Sequence, residues 1–103
     1  MAHLLTRYDR RDEADRDALA RAALDLCRAT RAQDGITSSR FYWVNADTVV
    51  VLSEAESMEK FDGAGSADAA KAIFAISDLA RATGTERWID PRTGAEAYRL
   101  AGQ

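Results

Sequence analysis

Two rhythms of apolar and polar residues run along this chain, one of period near 3.6 and one of period 2. Residues 3–8, HLLTRY, read as a short strand. The charged run DRRDEADRD leads into a stretch over 13–33 without Pro or Gly. There Leu19, Ala23, Leu26, Cys27 and Thr30 keep the spacing of an amphipathic helix, widened by Ala20 and Leu24, while Arg16, Arg21, Asp25 and Arg28 fall towards the other side. Asp12 is the expected N-cap, with Glu13 and Asp15 opposing the positive end of the helix dipole. Gly35 is the expected left-handed residue that closes the helix.

Residues 36–44, ITSSRFYWV, and 48–54, TVVVLSE, are β-branched and aromatic, and Asn45-Ala46-Asp47 between them is turn chemistry. The spacing predicts a hairpin. Ser57 is placed to cap one turn, SMEKFD, before the Gly63-Ala64-Gly65 bend. Ser66 is placed to cap a second helix over 67–83, with Ala69, Ile73, Ile76 and Ala80 inward, Ala72 and Leu79 beside them, and Gly84 as its end. Phe74 lies off that stripe. Residues 85–90, TERWID, read as a strand, Asp90-Pro91-Arg92-Thr93-Gly94 as a turn, and 95–100, AEAYRL, as a short returning strand. The order β-α-β-β-(short α)-α-β predicts an α+β, ferredoxin-like single domain over 1–103, with both helices on one face of an antiparallel sheet.

Composition narrows the chemistry. Net charge is −3, and the acids are interleaved with the arginines, so no basic patch for nucleic acid is expected. No apolar run approaches the roughly 18 residues of a membrane span. The N-terminus MAHLLTRYDRR lacks the pattern of a signal peptide, and the expected compartment is the cytoplasm. A single cysteine, Cys27, excludes an internal disulfide and CxxC motifs, and reads as a core residue. A single histidine, His3, excludes HExxH and His-rich metal sites, so neither a metal nor a cofactor is expected.

The faces of the strands point to a partner. In the first strand one parity holds His3, Leu5 and Arg7 and the other Leu4, Thr6 and Tyr8. In residues 36–44 one holds Thr37, Ser39, Phe41 and Trp43 and the other Ile36, Ser38, Arg40, Tyr42 and Val44, with Arg7 joining Arg40 and Tyr42 if the parities match. Neither parity is simply apolar or simply charged, which suits a partly closed, wet cavity. Val49, Val50 and Val51 in succession make the second hairpin strand apolar on both sides. One chain of 103 residues supplies cover for one side only, so a second copy paired through the sheet is expected.

With its element order and the hairpin GITSSRFYWVNADTVVVLSEAES, the chain resembles the dimeric α/β-barrel superfamily over residues 3–100. In that superfamily two ferredoxin-like subunits pack sheet to sheet and enclose cavities. Its members include antibiotic-biosynthesis-type monooxygenases that need no cofactor, small isomerases and decarboxylases, haem-degrading enzymes and stress-responsive proteins. The haem-degrading branch needs a helix histidine, and both predicted helices lack one. The resemblance implies a homodimer handling a small organic acid or aromatic compound, without nucleic acid or membrane as partner.

Within that expectation, Arg40 and Arg7 would balance substrate charge and Tyr42 would donate a hydrogen bond. His3 would serve as a base, against the simpler reading of a frayed terminal residue. Trp43 and Trp88 would wall the site, with Phe41 and Tyr98 as further aromatics, against a packing role for all four. In the monooxygenase relatives Asn, Trp and Tyr orient the substrate; Asn45 is of the right type but falls in the predicted turn. The competing expectation is a non-catalytic dimeric binding or regulatory module, whose arginines simply pair with Glu54, Glu56 or Asp47.

Overall fold

A computed structural model describes residues 1–62, 65–91 and 99. Seven elements follow one another: β1 (Ala2–Arg10), α1 (Arg16–Arg31), β2 (Ile36–Asn45), β3 (Thr48–Ala55), α2 (Glu59–Asp62), α3 (Ala67–Ser77) and β4 (Ala80–Ile89). The strands form one antiparallel sheet in the order β2-β3-β1-β4. This is the expected ferredoxin-like, split βαβ arrangement. β3 is central, as its run of valines required.

Both long helices lie on the same face. α1 packs over β2 and β3 and along α3, which packs against β4. The core between them joins Leu19, Ala23, Leu26 and Cys27 of α1 to Ala72 and Ile76 of α3, and to Tyr8, Val49 and Val51 of the sheet. Burial pushes both the Cys27 thiol and the Tyr8 phenol upward in pKa, so each stays neutral in the core. The buried hydroxyls of Ser39 and Ser53 satisfy one another at 2.8 Å across the β2–β3 pair.

The helix boundaries differ from the sequence expectation for local reasons. The N-cap of α1 is Asp15, whose carboxylate accepts from the Ala18 amide at 3.1 Å, and not Asp12. The chain first makes a turn in which Ala14 N–H bonds to Arg11 O and Glu13 takes φ 65°. Gly35 is left-handed, at φ 84°, but it serves the turn into β2, since Ala32 already caps the helix. Ser66 caps α3 as expected, accepting from the Ala69 amide at 3.0 Å.

α3 stops at Ser77, however, and the expected helix to residue 83 is corrected. Ser77 Oγ turns back onto Ile73 O at 2.7 Å, and β1 recruits residues 80–89 as a full-length edge strand. Pairing with β1 overrides the high helix propensity of the alanines. Ala80 is thus a buried strand residue, and Gly84 lies within β4 opposite Arg7. Thr83 is the extra residue of a bulge there. Ile73, expected inward, is 49% exposed, and Phe74, expected off the stripe, is 75% exposed. The Gly63–Ala64 bend, the turn beyond Pro91, and the returning strand over 95–100 with Tyr98 lie, Arg99 excepted, outside the described residues.

The β2–β3 turn is tied down from two sides. Asn45 Oδ1 accepts from the Asp47 amide at 2.8 Å, so Asn45 serves the turn as expected. Asp47 Oδ1 accepts from Arg10 at 2.7 and 3.0 Å and from Arg16 at 3.0 Å. The turn is thereby fixed to the end of β1 and the start of α1. The two guanidinium groups hold the Asp47 carboxyl below its ordinary range.

The left-handed geometry of Gly35 gives a direct test. A side chain there would be strained and would also push into the Lys60 stem. Gly35→Ala is expected to destabilise by about 1–2 kcal/mol in chemical denaturation. At Gly84 an added Cβ meets nothing within 4 Å, so Gly84→Ala is expected to show no such loss. Equal effects at the two positions would contradict this account of the turn.

Candidate functional site

Residues directly opposite in an antiparallel sheet project from the same face. The registers therefore organise the face opposite α1 and α3 into three rows across β4, β1, β3 and β2. The first holds Trp88, His3, Glu54 and Ser38; the second Glu86, Leu5, Leu52 and Arg40; the third Gly84, Arg7, Val50 and Tyr42. His3, Arg7, Arg40, Tyr42 and Trp88 thus share one face. Trp43 and Phe41 lie on the opposite, helix-side parity, opposite Val49 and Val51. Trp43 is 41% exposed there, so the structure does not bring it to the others.

A depression of about 200 Å³ sits on the open face, lined by His3, Ser38, Arg40, Tyr42, Leu52 and Glu54. Arg7 lies one row on from Leu5, beyond the lining of the depression. Trp88 lies beside it, its ring 6.0 Å from that of His3 and tilted by 43°. The Trp88 indole N–H donates to Glu86 at 3.3 Å.

The first row is hydrogen-bonded throughout β1, β3 and β2. His3 Nε2 lies 2.9 Å from Glu54 Oε2, and Ser38 Oγ donates to Glu54 Oε1 at 2.7 Å. The Ser38 hydrogen bond, then the His3 contact and the positive charge of Arg40, hold the Glu54 carboxyl below its ordinary range despite partial desolvation. Glu54 is therefore a carboxylate near neutrality and only accepts hydrogen bonds. That assigns the proton at this contact to His3 Nε2 and, in the neutral ring, leaves the lone pair on Nδ1. His3 is no frayed end: β1 pairs it with Glu54 on one side and Trp88 on the other.

Of the three acids expected to neutralise the arginines, Glu56 has no ion pair within 4 Å among the described residues and the other two are engaged elsewhere. Asp47 holds Arg10 and Arg16, and Glu54 holds His3 and Ser38. Among the described residues neither Arg40 nor Arg7 has an ion pair within 4 Å. Sequence reasoning named Glu54 only as a neutralising partner, and placed Ser38 on the parity of Arg40 without giving it a role. The alternation Val50, Leu52, Glu54, read with the turn at 45–47, carries both, since it sets Ser38 opposite Glu54. Among the described residues no group of three or more His, Cys, Asp and Glu is placed to hold a metal ion, and no helix is long and apolar enough to cross a membrane.

No protein-family model matches the chain, and no curated protein sequence does. Solved structures do. Rv0793 from Mycobacterium tuberculosis aligns with TM-score 0.69 and 22% identity, over 91% of this chain and 97% of that one. SnoaB, a cofactor-independent oxygenase from Streptomyces nogalater, aligns with TM-score 0.76 and 9% identity, over 89% and 94%. A protein described as an antibiotic biosynthesis monooxygenase aligns with TM-score 0.71 and 12% identity, over 91% and 100%. At these identities the likeness is one of fold. The chain shares the ferredoxin-like α+β fold of these structures.

Glu54 and Asp47 together set an acid limb of stability. Their folded pKa values lie below the unfolded ones. Their contribution is therefore complete above about pH 5 and is lost as pH falls through the folded values. Glu54→Gln is expected to unfold at a lower temperature than wild type at pH 7 and to lose less on acidification. Thermal melts from neutral to strongly acid pH check this; parallel curves for the two proteins would contradict it.

Proposed function

We propose that this protein holds a small acidic aromatic or enolic compound in the depression on its open sheet face, with a second copy of the chain closing over it. Arg40 carries the reading. It is a permanent cation at the depression, on the face without helices, and no acid of the described residues neutralises it within 4 Å. A guanidinium so placed matches a carboxylate, phenolate or enolate, and holds it by two parallel hydrogen bonds. Tyr42 at the same rim supplies a hydroxyl donor, and Leu52 an apolar contact. Arg7, Leu5 and Val50 extend the surface along the sheet, and Trp88 flanks it.

The second copy follows from the same face. Leu5, Val50 and Leu52 stand at its centre on the two inner strands, on the side opposite the long helices α1 and α3. Covering such a surface gains about 25 cal/mol for each Å² of apolar area removed from water. Sheet-to-sheet closure would also dry the depression, where Arg40 acts more strongly on a bound anion.

An arginine opposing charge on a delocalised anion suits oxygenation, isomerisation or decarboxylation without a cofactor. The likeness to a fold neighbour described as a cofactor-independent oxygenase supports the first of these by analogy.

The test is ligand-induced stabilisation. Hydroxylated aromatic acids and phenols are expected to raise the unfolding temperature of wild type. Arg40→Ala should bind them at least tenfold more weakly, the loss of a charged hydrogen bond being worth about 1.5–3 kcal/mol. Stabilisation of both proteins alike, or of neither across the panel, would contradict the assignment.

A further inference from the structure

The open face carries a second arrangement whose chemistry ligand binding alone does not use. Ser38, Glu54 and His3 come from three adjacent strands and occupy one row. Both Glu54 oxygens are committed, Oε1 to the Ser38 hydroxyl at 2.7 Å and Oε2 to His3 Nε2 at 2.9 Å. A surface ion pair formed only for stability needs one such contact and leaves both side chains to rotate. Here the serine fixes the carboxylate, the carboxylate fixes the ring, and Trp88 stands 6.0 Å from the ring on the other side. Ser38, Glu54 and His3 all line the depression together with Arg40.

We propose that Ser38, Glu54 and His3 form a proton-accepting chain for the compound bound at Arg40. This rests on the depression being a ligand site. His3 is the group that meets the ligand; Glu54 and Ser38 are positioning residues. The ligand's acidic proton passes to His3 Nδ1. The electron pair of the broken bond stays on the ligand, delocalised onto an oxygen that Arg40 faces. The imidazolium keeps its Nε2–H on the Glu54 carboxylate, which opposes the new positive charge. No oxidant, reductant or further reactant enters the step. Its product, an anion held beside an arginine, is the species from which the proposed chemistry would start.

The chain of contacts explains why each type of residue stands where it does. A carboxylate behind an imidazole selects the tautomer and stabilises the charged ring. A hydroxyl donor behind that carboxylate keeps it ionised and oriented. Replacing Ser38 by Ala would leave Glu54 Oε1 without its donor, while Thr would retain one.

4-Nitrophenol is a suitable probe, because its phenolate absorbs visible light and its phenol does not. At a pH below its solution pKa, dye bound to wild type is expected to show an ionised-to-neutral ratio about tenfold above that of free dye, which corresponds to about one pKa unit. His3→Gln should still bind the dye through Arg40, by thermal stabilisation, but lose most of that increase. Glu54→Gln and Ser38→Ala should show intermediate losses, and Ser38→Thr should restore the wild-type spectrum. Circular dichroism of each variant separates these effects from misfolding. If all four variants bind the dye with the wild-type spectrum, the proton-accepting chain is wrong and the ligand site stands. If wild type does not bind the dye at all, and Arg40→Ala therefore changes nothing, the proposal falls together with the site it rests on.

Discussion

Among the described residues, helices cover only one face of this four-stranded sheet, and the rest of the structure answers to that constraint. The strand β3 is central and runs apolar on both sides. Val49 and Val51 join the core with α1 and α3, while Val50 and Leu52 lie on the opposite parity, away from that core of the described residues. An apolar centre left open on an inner strand is costly for a soluble protein, and natural sheets seldom leave one without a use. The polar residues of this face are therefore informative. Arg40, Tyr42, His3 and Glu54 surround a depression on that face.

The rows across the sheet depend on register, and register depends on the β2–β3 turn. A slip of one residue would send Arg40 and Tyr42 to the helix side and Phe41 and Trp43 to the open side. Asp47 guards against this. Its carboxylate joins the turn to Arg10 at the end of β1 and to Arg16 at the start of α1, and the Asp9 carboxylate adds a hydrogen bond from Thr48 at 2.9 Å. Two of the three acids that sequence reading offered as partners for Arg40 thus have other tasks: Asp47 fixes the register and Glu54 fixes the histidine. That division leaves the arginine available to a ligand.

Much of this was legible along the chain because strand parity is a local property. Alternation placed His3 with Arg7 on one side of β1, and only the registers joined that side to the one Arg40 occupies. Within β2, alternation placed Arg40 and Tyr42 on one side. It also placed Trp43 on the other, and the expectation that it would wall the site set residue type above parity. The pairing of Glu54 with His3 was harder to see, since the two lie 51 positions apart and meet only once β1 settles beside β3. The end of α3 was hidden for a related reason. Residues 78–83 carry helix-forming alanine and leucine, and only the free edge of β1, a feature of the assembled sheet, draws 80–83 into a strand. The cap at Asp15 was displaced from Asp12 by a left-handed Glu13, a conformation that glutamate seldom advertises.

The claim on which these readings converge is that the open face closes against a second copy of the chain. Sedimentation equilibrium measures it directly, with Val50→Glu as the matched variant that sets a charge at the centre of that face. The account predicts that wild type sediments at twice the 11.3 kDa of one chain, and that folded Val50→Glu sediments as a single chain. A wild-type protein that remains a single chain at the concentrations used for ligand binding, or a variant that still pairs, would contradict it.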